Sequence, residues 1–220
     1  MIDAFADRTE AGRLLAREVL ALNPVDPVVL ALPRGGVPVA AEVARALEAP
    51  LDLLLVRKIG APAHRELAVA AVVEGPQPGI VIDRETLDLT GTSEAYVERG
   101  AKEELREIAR RRTAYLHDRP PLDVEGRTVI VVDDGIATGT TVRAALLALR
   151  RRGPRRLVLA VPVAPPEVVE ALRADVDDLV CLAQPPYFQA VGVHYADFHQ
   201  VSDDEVISIL DEARATEGPP

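Results

Sequence analysis

Several segments of this chain are apolar almost from end to end instead of alternately so. They are "VVLALP" (28–33), "LDLLLVRK" (51–58) up to its basic end, the head of "VIVVDDGIATGTT" (129–141), "RRLVLAVPVA" (155–164) and "VDDLVCLA" (176–183). A strand with one wet face alternates polar and apolar residues. A strand apolar throughout is covered on both sides, as a helix-clad parallel sheet provides. Helical periods fall between these runs. Residues 8–22 repeat through Leu14, Leu15, Val19 and Leu22 and stop at Asn23–Pro24. Further helices are expected over 37–48, 93–117, 141–152, 166–174 and 203–214, with an apolar stripe at Ala101, Leu105, Ile108 and Tyr115 in the longest. "AVAAVVEG" and "GIVID", separated by "PQP", suggest a hairpin. The expected fold class is α/β with a parallel, Rossmann-like sheet.

The bulk properties narrow the function. At 220 residues the chain suits one domain, 1–220; it is 48% hydrophobic and 27% charged and has no apolar run of membrane-spanning length. The N-terminus lacks the apolar core of a secretion signal. The one cysteine, Cys181, excludes an internal disulfide framework and reads as a buried thiol, so a cytoplasmic location is expected. A formal net charge of −10 argues against nucleic-acid partners. The basic clusters at 110–113 and 150–156 read as solvated helix ends. Lys58 and Lys102 are the only lysines, which makes each more informative.

Ligands of such sheets bind beyond the carboxyl ends of the strands, and three strand ends here carry unusual chemistry. In "LPRGGV", Gly35 and Gly36 permit close approach of backbone N–H groups to an anion and Arg34 adds a guanidinium; a plain tight turn is the other reading. In "VRKIGAPAHRE", Arg57 and Lys58 sit at a strand end aimed at the same crevice, or are simply surface charges. In "VIVVDDGIATGTT", Thr138, Gly139, Thr140 and Thr141 form a strand-to-helix turn suited to a phosphate. The lysine of a nucleoside-triphosphate loop is missing, and so is a dinucleotide fingerprint. Asp133 and Asp134 repel a bare phosphate but accept hydrogen bonds from hydroxyls, so a sugar phosphate satisfies both halves of the segment.

That segment resembles the phosphoribosyl-pyrophosphate (PRPP) motif of type I phosphoribosyltransferases: apolar strand, two acids, two residues, then a small-Thr-Gly-x-Thr loop. The order of the three strand ends is similar too, over roughly Val28 to Val163. The resemblance implies ribose 2′ and 3′ hydroxyls on Asp133 and Asp134 and the 5′-phosphate on Ala137 to Thr141. It implies pyrophosphate on Arg34, Gly35 and Gly36, with Mg²⁺ bridging it to the ribose near Asp133 and Asp134. A non-proline cis peptide at Pro33–Arg34 is a further expectation from the family. The implied reaction moves the phosphoribosyl group to a nitrogenous base and releases pyrophosphate, with Asp133, Asp134, Arg34 and Lys58 as the catalytic candidates. The alternative is a non-catalytic PRPP- or nucleotide-binding regulatory protein.

The acceptor stays open. Ala137 stands where 6-oxopurine enzymes of the family carry an acid, and residues 84–121 exceed the usual connection, which suggests a helical insertion. "PPYFQAVGVHYADFHQ" gathers four of seven aromatics (Tyr187, Phe188, Tyr195 and Phe198), so 184–201 reads either as a hood stacking on a planar base or as a small satellite core. Ile136, Tyr187 and Phe188 are the acceptor-side candidates; Glu66, His64 and Glu74 are the general-base candidates. "VSDDEV" reads as a helix N-cap, and a homodimer is expected.

Overall fold

Strands apolar on both faces should pair in parallel between two helical layers, and they do. The computed structural model describes residues 4–64, 67–75, 79–117 and 119–216. In chain order the first elements are α1 (Arg8–Ala21), β1 (Pro27–Ala31), α2 (Gly36–Leu47), β2 (Leu51–Leu53), β3 (Val56–Gly60), β4 (Ala68–Val73) and β5 (Gly79–Ile82). There follow α3 (Arg84–Thr90), α4 (Glu94–Leu116), β6 (Thr128–Val132), α5 (Thr140–Arg150), β7 (Arg156–Val163), α6 (Pro166–Leu172), β8 (Asp178–Ala183) and α7 (Asp203–Thr216).

A five-stranded parallel sheet runs in the order β2-β1-β6-β7-β8. Its strands send successive side chains to opposite layers. Val29, Ala31, Ile130, Val132, Val158 and Ala160 face Leu15, Val19, Val39 and Val43 of α1 and α2. Val28, Leu30, Val129, Val131, Leu157 and Leu159 face Val142, Leu146 and Leu149 of α5. Those α5 residues recur at helical spacing, so one stripe is buried and the rest of the helix is left to solvent. Each fully buried Val or Leu contributes roughly 1.5–3 kcal/mol of transfer free energy. These two apolar layers are the main stabilisation of the sheet.

The run 51–58 is not one strand. It divides into β2, parallel to β1, and β3, which leaves the main sheet and pairs antiparallel with β4. The apolar tract gave no sign of the break, because Leu54 and Leu55 are buried on either side of it. The expected hairpin of 68–75 and 79–83 is β4–β5, and it completes a second sheet in the order β3-β4-β5. Ser93 caps α4 by accepting from Tyr96 N, and the helix buries Val97, Ala101, Ile108, Tyr115 and Leu116. The N-cap reading of "VSDDEV" holds, with Ser202 Oγ accepting from Glu205 N at 3.2 Å.

The basic cluster at 110–113 is not simply a solvated helix end. Arg112 reaches inward, bonding both oxygens of buried Asp52 at 3.2 and 3.0 Å and Glu74 Oε2 at 3.0 Å. Its Nε donates to Arg119 O at 3.1 Å. Asp52 also accepts from Leu122 N, and Glu74 from Leu55 N. One guanidinium therefore ties α4 to β2, to the end of β4 and to the segment leading into β6. Cys181 is a free, half-buried thiol, pushed up to about 11 by burial.

Candidate functional site

From β1 the chain moves outward to β2, and from its neighbour β6 it moves the opposite way, to β7 and β8. The carboxyl ends of β1 and β6 are thus a topological switch point, where the flanking loops part and leave a crevice. The loop after β1 is drawn onto the loop after β6: Leu32 N donates to Val132 O at 2.9 Å. The contact tightens further along. A Cβ on Gly36 would lie 2.9 Å from Asp133 Cα, and one on Gly35 would lie 2.0 Å from Asp134 Oδ2. These glycines are required by close approach, since Gly35 has φ −59°. The Pro33–Arg34 peptide is cis, as expected.

Two helices begin at this crevice without a side-chain cap. Helix α2 starts at Gly36 after Gly35, and α5 starts at Thr140 after Gly139, whose φ of 75° is left-handed. First-turn N–H groups of an uncapped helix are donors with a positive dipole end behind them. Ala137, Thr138 and Thr140 are exposed beside the second of them.

The acids lie between the two helix ends. Asp134 N donates to Asp133 Oδ1 at 2.9 Å, which folds the first carboxylate over the turn. Burial raises the pKa of both, and at Asp133 the neighbouring Asp134 charge adds to it. At Asp134 the rise is offset by Arg8, whose Nε donates to Oδ2 at 2.9 Å. Arg8 is buried; its Nη1 donates to His199 O and its guanidinium carbon lies 3.9 Å from the Phe198 ring centroid.

A cavity of about 180 Å³ opens beside Asp133, lined by Pro33, Arg57, Ile108, Arg111 and Thr141 among others. Arg57 donates to Glu104 at 2.7 Å, Arg111 to Glu107 at 2.8 Å, and Arg34 lies 3.5 Å from Asp203. Lys58, next along β3, is exposed and outside the residues lining this cavity, since adjacent strand residues point to opposite faces. A larger groove of about 930 Å³, where α1, α2 and α7 meet, contains none of the strand-end residues.

The segment 184–201 leans on the acidic motif. Tyr195 donates to Asp134 O at 2.5 Å, and a Cβ on Gly135 would meet Val191 at 2.6 Å. Tyr195 stacks near Phe5 and Phe198, and Phe188 stacks on His194. Phe5 and Tyr195, with Phe188 packed against them, form a satellite core, while Phe198 is 37% and Tyr187 90% exposed. Ile136 is buried against the α5 layer. Among the general-base candidates, Glu74 is locked to Arg112, His64 lies on the exposed loop before β4, and Glu66 lies outside the described residues.

Sequence reasoning missed Arg8, read Arg111 only as part of a solvated helix end and Asp203 only as part of an N-cap, and named Tyr195 without its bond to Asp134. The one available signal was the position of Arg8, in the first turn of a helix where a cation opposes the dipole. Tyr115 was read only as part of an apolar stripe, yet its hydroxyl donates to Asp203 Oδ1 at 2.6 Å.

Fold and site together define an α/β protein whose switch-point crevice sets a carboxylate pair between two uncapped helix ends and a set of arginines. The chain matches the phosphoribosyl transferase domain model over residues 6–197 and belongs to that family. It is similar to the solved structure of TT1426 from Thermus thermophilus, with 46% identity, a TM-score of 0.84 and coverage of 95% of this chain and 98% of that one. It is 44% identical over 210 residues to "Putative phosphoribosyl transferase Rv0571c" of Mycobacterium tuberculosis, covering 95% of this chain and 47% of that protein. It is 36% identical over 115 residues to "Bifunctional protein PyrR" of Thermus aquaticus, 51% of this chain and 56% of that one. The chain thus spans about half the length of these curated relatives. Among the described residues, no helix is long and apolar enough to cross a membrane.

Proposed function

We propose that the chain transfers the 5-phosphoribosyl group of PRPP to a base-like acceptor and releases pyrophosphate. The observation that carries this reading is the pair of uncapped helix ends on either side of Asp133 and Asp134. PRPP has two separated anionic groups joined by a ribose diol, and the crevice offers two separated donor sets joined by two carboxylates. In this reading Thr138 to Thr141 hold the 5′-phosphate through backbone N–H and hydroxyl groups. Gly35, Gly36 and Arg34 hold the diphosphate, with Arg57 beside them. Asp133 accepts from the ribose hydroxyls. Asp134, fixed by Arg8, supplies negative charge beneath the sugar.

The acceptor nitrogen attacks C1 as the bond from C1 to the diphosphate oxygen breaks, and the electron pair leaves with pyrophosphate. Positive charge grows at the sugar, so the chain acts by positioning and electrostatics. Among the described residues no group of three or more His, Cys, Asp or Glu is placed to hold a metal ion. One carboxylate beside a diphosphate suits Mg²⁺, which keeps waters and binds through substrate oxygens. Asp133 would hold it, and the ion would neutralise charge on the leaving group.

A second reading, a regulatory protein that binds PRPP without turnover, is favoured by one observation: of the described base candidates, neither Glu74, locked to Arg112, nor His64 lines the cavity. Calorimetry with PRPP and Mg²⁺, followed by pyrophosphate release across a panel of bases, tests both. Heat with release supports the enzyme. Heat without release for any base supports the regulator. No heat overturns the two together.

A further inference from the structure

Helix α4 is not one of the strand-end loops, yet its Arg111 lines the same cavity as Pro33, Arg57, Asp133 and Thr141. Three guanidiniums lie around this crevice, and each rests on a carboxylate of the chain itself: Arg57 on Glu104, Arg111 on Glu107, Arg34 on Asp203. The Tyr115 phenol, bonded to Asp203, feels the charge of both Arg34 and Arg111. The three partner carboxylates are part-exposed or exposed, 27% for Glu104 and Glu107 and 66% for Asp203, so a polyanion reaching the crevice would compete with them for the arginines.

We propose that Arg111 is a diphosphate-binding residue contributed by α4, and that Glu104 and Glu107 occupy Arg57 and Arg111 until the diphosphate displaces them. This rests on the PRPP reading above. The side chains are free to exchange partners: Arg57 and Arg111 are 36% and 35% exposed, and half-exposed ion pairs contribute little net free energy. A diphosphate offers several oxygens in the geometry that a guanidinium fork matches bidentately, which a single carboxylate cannot do for two arginines at once. Glu107 is not stranded by the exchange. Arg110 holds it through two bonds of 2.8 and 2.9 Å; these bonds and the one from Arg111 together lower its carboxyl to about 2. Arg111 therefore leaves behind a carboxylate that Arg110 still pairs. The helix that carries it also carries the counter-charge, so α4 sets the anion affinity of the crevice.

Calorimetry on the full chain with Mg²⁺ tests this, using three probes: inorganic pyrophosphate, PRPP, and ribose 5-phosphate, which lacks the diphosphate. Arg111→Gln should weaken pyrophosphate and PRPP on the order of tenfold and leave ribose 5-phosphate unchanged. The double variant Glu107→Gln/Arg111→Gln should show the same loss, which excludes mere unmasking of Glu107. Glu107→Gln alone should bind pyrophosphate at least as tightly as the parent chain. Arg111-dependent pyrophosphate binding without PRPP binding would support this inference and overturn the PRPP reading. Parent and Arg111→Gln chains binding PRPP and pyrophosphate equally would overturn the inference and leave the reading standing. Equal weakening of all three probes, or no pyrophosphate binding by the parent chain, would overturn it as well.

Discussion

Arg8 Nε donates to Asp134 Oδ2 at 2.9 Å across 126 residues of sequence, and the two side chains are only 8% and 13% exposed. The bond joins the first turn of α1 to the acid pair after β6. Because Arg8 also donates to His199 O and lies over Phe198, the same guanidinium anchors the segment before α7. Three parts of the chain thus meet at one charge.

Arg8→Ala leaves Asp134 as a buried, unpaired carboxylate, and loss of one partner of such a pair costs about 3–5 kcal/mol. Asp134→Asn strands the arginine in turn, so that variant loses stability as well. Urea unfolding of Arg8→Ala, Asp134→Asn and the double variant forms a cycle whose expected coupling exceeds roughly 1.5 kcal/mol. Coupling near zero would show that the pair carries no stability.

Gly35→Ala places a methyl where Asp134 Oδ2 now lies, 2.0 Å from the ideal Cβ. The φ of Gly35 suits any residue, so the effect is steric and local. Overpacking of this kind costs about 1–3 kcal/mol, and relief requires Asp134 to leave Arg8. The expected result is a lowered thermal midpoint together with loss of the PRPP binding proposed above. A chain that binds PRPP normally with alanine at this position would refute the packing described for the two loops.

The architecture was legible because the period of each segment matches its element. Apolar strands, the Gly-Gly turn and the acidic motif are local signals, and the crevice follows from where parallel strands end. The division of 51–58 was not legible, because Leu54 and Leu55 are as apolar as the strands on either side. Arg8 and Arg112 were not legible either. Their partners lie 126 residues away for one and 60 and 38 for the other, and in sequence a buried arginine reads like a solvated one. Arg111 was hidden by the same cluster.

His199 links stability to pH. Its ring contacts Glu205 at 3.0 Å and Asp197 at 3.2 Å, and these carboxylates raise its pKa above 6.5. Those of Asp197 and Glu205 fall below their usual values. A raised histidine adds stability that is fully present below pH 6.5 and is lost as pH rises through the folded value. The carboxylates add stability above their unfolded values, lost as pH falls through their lowered folded ones. The trio therefore contributes most between these limits, in mildly acidic solution. Urea midpoints across pH 5 to 9 should fall less on the alkaline side for His199→Gln than for the parent chain. Identical slopes would remove the histidine from the account.

Arg112 makes the sharpest distinction between charge and geometry. Its guanidinium spans Asp52, 1% exposed at the side chain, and Glu74, 5% exposed, while Nε holds Arg119 O. Burial raises the Glu74 pKa and Arg112 pulls it back, so the carboxylate depends on this partner to remain charged. Arg112→Ala should cost about 3–5 kcal/mol in urea unfolding, as two buried acids lose their cation. Arg112→Lys keeps the charge but not the fork, and a point charge cannot bond both oxygens of Asp52 and reach Glu74 and a carbonyl as well. Lysine should therefore recover well under half of the loss, and faster amide exchange in β4 should accompany both variants, since Glu74 at its end is released. Full recovery by lysine would mean that the charge of Arg112, and not its fork, is what these acids require.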